Sequence, residues 1–333
     1  MVCRQERWRY SKDEPVSEPG PPPTLRPAAL RPGNRLALIA PSRPSEPSRL
    51  SVATAWLQNR GYQVQPGSRI HDRYHYLAGR DADRARDVMD AFLDDDVDGI
   101  LCVRGGFGTG RLVDLLDYDA IAAHPKPLIG FSDSTGLQLA IHRQTGLVAF
   151  TGALADTDLG RRCVDPLLAD SLWRLLERTE PFGALPGEEA QLTAIQPGQA
   201  EGPLLAANLA LLCSLLGTPY APCFDGAVLL IEDVAEAPYR IDRMLTQLRL
   251  SGVFEEVSAL VLGVFRDCFT AADMEDSPTL VEIVKDAVGH RQLPVVGGVA
   301  YGHIRRRTVL PIGVRTHVDG DAGLVRIIES AVC

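Results

Sequence analysis

The sequence has no excess of positive charge and no long apolar run, and each absence excludes a class of partner. Its 34 Lys and Arg residues are outnumbered by 43 Asp and Glu residues, so the formal net charge is −9. Binding to nucleic acid or to anionic lipid needs a basic surface, and we therefore predict neither partner. No apolar run approaches the roughly 20 residues that cross a bilayer. Residues 1–30 contain no apolar segment typical of a secretory signal, so we expect a cytoplasmic protein.

The cysteine and histidine patterns also exclude common metal sites. The cysteines are odd in number and scattered, with no C-x-x-C pair, and the histidines form no H-E-x-x-H motif. A zinc site or a disulfide framework needs paired or closer spacing. We therefore predict reduced thiols and no metal site.

What is present is a chain of 333 residues, long enough for two domains, with 45% apolar residues to fill their cores. Residues 1–32 are rich in proline, which predicts a disordered extension. In residues 33–160 short apolar strand patterns alternate with helix patterns, which is typical of a parallel sheet with helices on both faces. Residues 161–200 predict a helix and a linker, and residues 201–333 predict a second domain. The predicted helices cover residues 47–60, 81–93, 112–116, 136–143, 167–176, 208–216 and 239–250.

The strongest local signal is the segment Gly130-Phe131-Ser132-Asp133-Ser134. An apolar strand pattern runs directly into Ser132, and a helix pattern begins within a few residues, which is the layout of a nucleophile elbow. Such a turn would point the N–H of Asp133 at a developing oxyanion. The match to G-x-S-x-G is incomplete, because Ser134 stands in place of the second glycine. Read alone, the segment fits a helix N-cap better than a nucleophile, since Ser and Asp both cap well.

A second signal is the glycine-rich loop that begins at Arg104-Gly105-Gly106 and follows an apolar strand pattern. Such a loop lets backbone N–H groups approach a ligand or an oxyanion. It is not a phosphate-binding P-loop, because no Lys-Ser or Lys-Thr pair follows, and it does not fit G-x-G-x-x-G. The alternative is a flexible turn.

Two residues far along the chain complete a possible catalytic set. Glu232 ends an apolar strand pattern, the position at which open sheets place their sites, although a solvated turn residue is the commoner case. His303 follows an apolar run through Tyr301-Gly302, which would present its imidazole at a strand end. Serine, glutamate and histidine thus occur in the chain order of the α/β-hydrolases.

Seven ordered segments resemble the motifs of one family, that of the LD-carboxypeptidases and the related microcin-immunity serine peptidases. The likeness extends from Gly33 to about Gly320. The segments are Leu38-Ile39-Ala40-Pro41-Ser42, Arg104-Gly105-Gly106-Phe107-Gly108, Ile129-Gly130-Phe131-Ser132-Asp133, Asn208 with Leu216-Gly217-Thr218-Pro219-Tyr220, Leu230-Ile231-Glu232-Asp233-Val234, Tyr239-Arg240-Ile241-Asp242-Arg243 and Tyr301-Gly302-His303.

The resemblance implies a role for each candidate residue. Ser132 would be the nucleophile, His303 the general base and Glu232 the residue that orients this base. The N–H groups of Asp133 and Gly106 would hold the oxyanion. Arg104 and Arg243 are the candidates to bind the terminal carboxylate of the substrate.

The resemblance also implies an α/β fold, with a flavodoxin-like or amidotransferase-like parallel sheet in the first domain. The second domain would be smaller, α/β and rich in β structure, and would carry the glutamate and the histidine. Family members need no cofactor and are often homodimers in the cytoplasm, so we expect the same here.

The implied activity is that of a serine carboxypeptidase acting on a small muropeptide. It would hydrolyse the amide bond between an L-centre and a terminal D-amino acid, as in the murein tetrapeptide during cell-wall recycling. A microcin-immunity type peptidase acting on peptidyl or aminoacyl nucleotide analogues is an alternative. An unrelated α/β-hydrolase esterase and a non-catalytic binding protein on the same fold are two others. Two departures affect the expected pocket: Thr151-Gly152-Ala153 replaces His-Gly-Pro, and Ala206-Ala207-Asn208 replaces Gly-Gly-Asn.

Overall fold

The computed structural model describes residue 20 and residues 22–188, 191–270 and 277–333. The first part of the chain alternates short strands with helices. These elements are β1 (Arg35–Ile39), α1 (Pro47–Asn59), β2 (Gln63–Pro66), α2 (Asp81–Leu93), β3 (Gly99–Cys102), α3 (Tyr118–Ala123), β4 (Leu128–Gly130), α4 (Ser134–Thr145), β5 (Ala149–Thr151) and α5 (Pro166–Glu177).

The second part of the chain contains more β structure. Its elements are β6 (Gly183–Ala184), β7 (Thr193–Gln196), β8 (Gln199–Asn208), α6 (Leu209–Leu215), β9 (Val228–Val234), α7 (Pro238–Leu250), α8 (Val253–Glu256), β10 (Ala259–Arg266), α9 (Leu280–Val288), β11 (Val295–Gly302), β12 (Leu310–Ile312), β13 (Arg315–Asp319) and β14 (Leu324–Ile327).

The first sheet has the strand order β12-β5-β4-β3-β1-β2. Its strands are parallel except for β12, which pairs antiparallel with β5 at the edge. Every residue of β3 and β4 is buried, as expected for parallel strands covered on both faces. The predicted α/β fold with a parallel first sheet is therefore confirmed.

The second sheet has the strand order β6-β14-β13-β8-β9-β10-β11-β7. Its central strands β8, β9, β10 and β11 are parallel, so their carboxyl ends meet at one edge. This sheet has eight strands and the first has six. Two of the eight, β6 and β7, come from residues 161–200, which we predicted as a helix and a linker.

One segment connects the two sheets directly. Strand β11 lies in the second sheet and β12 lies in the first, so residues 303–309 pass from one to the other. The two sheets also share a hydrophobic core cluster, to which Phe150 contributes from the first sheet and Leu230 and Val261 from the second. His303 is therefore held at a packed junction rather than on a free loop.

Residues 22–32 are ordered against the first domain, so the predicted disorder is wrong for them. Leu25 forms a parallel bridge with Leu147, and the N–H of Leu30 donates to the carbonyl of Leu176 at 2.7 Å. The side chain of Leu30 is 1% exposed and belongs to the core. Residues 1–19 and 21 of the predicted extension lie outside the described residues.

The predicted helix over residues 112–116 is also wrong. Two short 3-10 turns, Thr109–Arg111 and Val113–Leu115, occupy this region, and a helix begins only at Tyr118. Gly108 precedes the first turn with a φ of 138°, a backbone conformation that favours glycine and does not continue into an α-helix. No helix within the described residues is long and apolar enough to cross a membrane.

Leu30→Ala is expected to lower the free energy of unfolding by about 2–5 kcal/mol, because it removes a buried side chain and leaves a cavity. Urea denaturation measures this change. The control is Leu250→Ala, since Leu250 is 75% exposed, and this variant should stay within about 0.5 kcal/mol of the wild type. Equal stability of the two variants would contradict the packing of residues 22–32.

Candidate active site

Ser132 lies in a sharp turn between strand β4 and helix α4. Its φ of 61° places it in the left-handed region, where non-glycine residues are uncommon and the strain costs on the order of 1–3 kcal/mol. Neither candidate side chain caps helix α4: Asp133 occupies the N-cap position without a side-chain cap bond, and the hydroxyl of Ser132 contacts His303. The capping alternative is therefore wrong, and the turn has the form of a nucleophile elbow.

The structure brings Ser132, His303 and Glu232 together. The Oγ of Ser132 is 3.0 Å from Nε2 of His303, and Nδ1 of His303 is 2.7 Å from Oε2 of Glu232. Glu232 is completely buried, whereas the His303 side chain is 21% exposed. The imidazole can thus take a proton from the serine while its other N–H donates to a carboxylate.

The carboxylate of Glu232 is held by its neighbours at the carboxyl edge of the second sheet. Asn208 ends the adjacent strand β8, and its side-chain amide donates to Glu232 at 3.2 Å and to Asp233 at 2.9 Å. Gly302 has a φ of 136°, and a Cβ there would lie 3.2 Å from Oε2 of Glu232 and 2.8 Å from the carbonyl of Val264. Only glycine fits this position, which sets the backbone directly before His303.

The glycine-rich loop lies against the nucleophile. A Cβ on Gly105 would be 2.8 Å from Cβ of Ser132, and Gly106 has a φ of 124°. Among the described residues, no hydrogen-bond acceptor is found for the N–H of Gly106 or of Asp133. Both donors are therefore available to a ligand that binds at Ser132.

The side chain of Asp133 ties the elbow to two other loops. It is 1% exposed, and its Oδ2 accepts from Oγ of Ser42 at 2.6 Å and from the N–H of Thr109 at 2.9 Å. The Oγ1 of Thr109 donates to the carbonyl of Asp133 at 2.5 Å. These bonds fix the glycine-rich loop relative to Ser132. Sequence reasoning assigned only the N–H of Asp133 and missed its carboxylate.

A cavity of about 430 Å³ opens beside Ser132. Its polar lining is dominated by arginines, of which sequence reasoning identified only Arg104. The lining residues are Arg43, Arg104, Gly105, Gly106, Phe131, Ser132, Leu154, Thr157, Asp158, Arg161, Arg266, His303, Ile304, Arg305 and Arg307. Apart from Arg305 and Arg307, these arginines lie far apart in the sequence, so no local pattern could have grouped all six.

Arg243 does not reach this cavity, which corrects its prediction as a carboxylate-binding residue. It lies exposed on helix α7, with its guanidinium 5.5 Å from the ring centre of Tyr239. The sequence predicts that Arg243 lies on a helix, but it does not show which surface of the protein the side chain faces.

Arg307 is the one buried arginine among the cavity residues. It forms an ion pair of 2.5 Å with Asp158, donates to the carbonyl of Gly152 at 2.7 Å and lies 4.3 Å from the ring centre of Phe131. Its charge is thus already neutralised, and it supports the residue before Ser132.

The two departures from the family motifs lie in the core and do not line the cavity. The hydroxyl of Thr151 is 2.8 Å from that of Tyr301, and both residues are completely buried. Burial, together with the charge of Glu232, raises the pKa of Tyr301, so this hydroxyl stays neutral. Ala206 and Ala207 lie in the extended strand β8 without positive φ, so alanine is not strained there.

No group of three or more His, Cys, Asp or Glu side chains within the described ranges is arranged to hold a metal ion. The geometry brings together a possible nucleophile, a base, a carboxylate that contacts the base and two free N–H donors.

Two family models match the chain. One, described as the LD-carboxypeptidase N-terminal domain, covers residues 36–152, and the other, the LD-carboxypeptidase C-terminal domain, covers residues 201–318.

Similar proteins include a probable murein peptide carboxypeptidase of Bacillus subtilis, 38% identical over 92% of this chain and 95% of the relative. The murein tetrapeptide carboxypeptidase of Pseudomonas aeruginosa is 33% identical over 86% of this chain and 94% of its own. The microcin C7 self-immunity protein MccF of Escherichia coli is 28% identical over 87% and 91%, respectively.

Solved structures show the same architecture. The muramoyltetrapeptide carboxypeptidase from Oxalobacter formigenes superposes with a TM-score of 0.78 at 30% identity, over 88% of this chain and 97% of the other. MccF in complex with glutamyl sulfamoyl guanosine superposes with a TM-score of 0.83 at 25% identity, over 93% of this chain and all of the other.

The buried carboxyl group of Asp233 is expected to make the stability of the fold depend on pH. Burial is the main reason that its pKa is raised to about 6, and the adjacent charge of Glu232 adds to the effect. Because this value lies above the ordinary value of 3.8, its protonated form stabilises the fold at low pH, and this stabilisation is lost as the pH rises through about 6.

Between about pH 5 and about pH 8, the wild type should lose about 1.4 kcal/mol of unfolding free energy relative to Asp233→Asn, which cannot titrate there. Urea denaturation of both proteins at the two pH values gives this difference, in which the effects of titrating groups distant from Asp233 cancel. An unchanged difference would show that the pKa of Asp233 is not raised.

Proposed function

Because the chain belongs to the LD-carboxypeptidase family, we propose that it is a serine carboxypeptidase that releases a terminal D-amino acid from a murein peptide. The observation that carries this proposal is the pair of contacts made by His303, at 3.0 Å to Ser132 and at 2.7 Å to Glu232. The names of the B. subtilis and P. aeruginosa relatives support the peptide substrate.

Acylation begins at the hydroxyl of Ser132. Nε2 of His303 takes its proton as the oxygen attacks the carbonyl carbon of the scissile amide. Glu232 holds the imidazole in the tautomer that leaves Nε2 free and stabilises the cation that forms. The tetrahedral oxyanion accepts hydrogen bonds from the N–H groups of Gly106 and Asp133, each worth about 3 kcal/mol in such sites.

The intermediate then collapses. The C–N bond breaks, and His303 returns its proton to the nitrogen of the departing D-amino acid. A water molecule next gives a proton to His303 and attacks the acyl-enzyme, which releases the shortened peptide and restores the hydroxyl of Ser132. The chain's own groups supply each proton transfer, so the scheme needs no cofactor.

The free carboxylate of the departing residue requires a cation. Arg104 supports this role, because it precedes Gly105 and Gly106 and lines the cavity beside Ser132. Planar guanidinium groups bind carboxylates through two parallel hydrogen bonds. We further propose that the protein acts in the cytoplasm as a homodimer on a small muropeptide, as the resemblance to the family implies.

The microcin-immunity activity is the second candidate. The likeness to MccF and the arginine-rich cavity support it, because arginines also bind the anionic groups of nucleotides. Parallel assays with the murein tetrapeptide and with an aminoacyl sulfamoyl nucleoside distinguish the two activities. Faster cleavage of the nucleoside compound would overturn the carboxypeptidase proposal.

A non-catalytic binding protein on this fold is opposed by the strained φ of Ser132 and by its contact with His303. Such a protein would have no need of a strained serine aligned with a base. An unrelated esterase is opposed by the family membership.

Ser132→Ala is expected to fold normally and to lower kcat/KM for D-alanine release from the purified tetrapeptide by roughly 10⁴-fold or more, because the nucleophile is removed. Chromatographic detection of free D-alanine measures the rate. Ser51→Ala, at an exposed serine on helix α1, is the matched control and should retain wild-type activity. Retention of near-normal activity by Ser132→Ala would contradict the mechanism.

A further inference from the structure

The contact between Ser132 and His303 joins two parts of the chain that belong to different sheets. Ser132 follows strand β4 of the first sheet, whereas His303 follows β11 of the second and begins the connecting segment of residues 303–309. A displacement of about 1 Å between reacting groups can lower a rate about 100-fold. The connecting segment must therefore be held firmly against the end of β4.

The guanidinium group of Arg307, within this segment, uses each of its three nitrogen atoms in a separate contact. Nε donates to the carbonyl of Gly152 at 2.7 Å, Nη1 to the carbonyl of Ile304 at 2.8 Å, and Nη2 to Oδ2 of Asp158 at 2.5 Å. Ile304 directly follows His303 in the chain. One planar group with fixed donor directions thus connects the residue after the base to two loops of the first domain.

The contact with Gly152 leads to the strand that carries the nucleophile. The N–H of Gly152 donates at 2.8 Å to the carbonyl of Gly130, which lies two residues before Ser132. Gly152 has a φ of 132°, and a Cβ there would lie 2.9 Å from the carbonyl oxygen of Thr308. The end of β5 therefore packs directly between the end of β4 and the connecting segment, and Arg307 bonds to it.

A second route runs through the ring of Phe131, the residue before Ser132. The guanidinium carbon of Arg307 lies 4.3 Å from the centre of this ring, and the centre of the His303 ring lies 4.7 Å from it. Phe131 is 3% exposed, and a cation beside an aromatic ring is most favourable where both are desolvated. The same ring thus packs against Arg307 and against the base.

The charge of Arg307 is balanced inside the protein. Its side chain is 6% exposed, and that of its partner Asp158 is 7% exposed. Oδ2 of Asp158 also accepts from the N–H of Leu154 at 2.9 Å, which fixes the carboxylate in turn. Because the ion pair is complete without a ligand, Arg307 has no net charge to offer to a substrate.

We propose that Arg307 is a positioning residue, which holds the connecting segment against the end of β4 and so keeps His303 at hydrogen-bond distance from Ser132. The inference rests on the proposed function and deepens it. A lysine would keep the charge, but its ammonium group donates from a single point and cannot replace the planar fork. Loss of the fork should slow the chemical steps and leave the binding of the peptide unchanged.

Two substitutions of Arg307 test this separation of rate from binding. Arg307→Met removes the fork from a side chain of similar length, and we expect kcat for D-alanine release to fall about 100-fold while KM changes by less than about twofold. Arg307→Lys can keep the ion pair with Asp158, so its kcat should fall by only about tenfold. The initial rates of both variants over a range of tetrapeptide concentrations give kcat and KM.

A double variant separates positioning from stability. Arg307→Met leaves the carboxylate of Asp158 buried without a counter-charge, so the melting temperature should also fall. Arg307→Met combined with Asp158→Asn removes this charge, and most of the lost melting temperature should return. Its kcat should nevertheless stay low, because the fork is still absent. A residue that only stabilised the fold would recover activity and stability together.

The rate at which a fluorophosphonate labels Ser132 reports the same alignment without any peptide. This rate should fall in parallel with kcat in Arg307→Met and in the double variant. Arg306→Met, at the exposed sequence neighbour, changes the net charge equally and is the matched control. Leu30→Ala, which is expected to lower stability, is the control for destabilisation alone. At a temperature where both are folded, both should label at the wild-type rate.

The outcomes separate the inference from the proposed function. Wild-type kcat and wild-type labelling in the double variant would overturn the positioning role. A raised KM with unchanged kcat in Arg307→Met would also overturn it, because Arg307 would then bind the substrate. If the wild type is labelled at Ser132 but releases no D-alanine, the carboxypeptidase proposal fails, and slow labelling of the double variant still supports the role of Arg307.

Discussion

The position of His303 is the constraint on which the rest of the site depends. Its ring contacts Ser132, which follows a strand of the first sheet, and Glu232, which lies in a strand of the second. The chain passes directly from β11 in the second sheet to β12 in the first, so residues 303–309, which include His303, are anchored in both sheets. The shared hydrophobic core packs the two sheets against each other, so Ser132, His303 and Glu232 lie at hydrogen-bond distances although they come from different sheets.

The strained turn at Ser132 is stabilised by hydrogen bonds that hold neighbouring loops against it. The carboxylate of Asp133 accepts from Ser42 and Thr109, and the guanidinium of the buried Arg84 donates to the carbonyls of Pro41 and Gly108. The positive φ of Ser132 persists because these surroundings determine the turn. Preorganised N–H donors at this point need no rearrangement when charge develops on the substrate.

Elements with a strong local pattern could be predicted from the sequence. Helix α2 has the predicted bounds of residues 81–93, because its apolar residues recur at helical spacing. The ordered conformation of residues 22–32 could not be predicted, because it depends on backbone hydrogen bonds to distant residues and on the burial of Leu30. Neither produces a periodic pattern in the sequence. Ser132, Glu232 and His303 could be named as candidate residues because each lies on a recognisable motif. The arginine cluster could not be identified, because most of its members come together only in the folded chain. Arg243 was predicted wrongly because the sequence does not show which direction its side chain faces.

The central claim is that Ser132 is activated by His303, and covalent labelling tests it most directly. A fluorophosphonate reacts with a serine only where a base and an oxyanion site assist it. Mass spectrometry of the intact protein should show one adduct per chain, and peptide mapping should place it on Ser132. His303→Gln should label far more slowly. Absence of an adduct, or an adduct on another residue in a preparation that still releases D-alanine, would contradict the account.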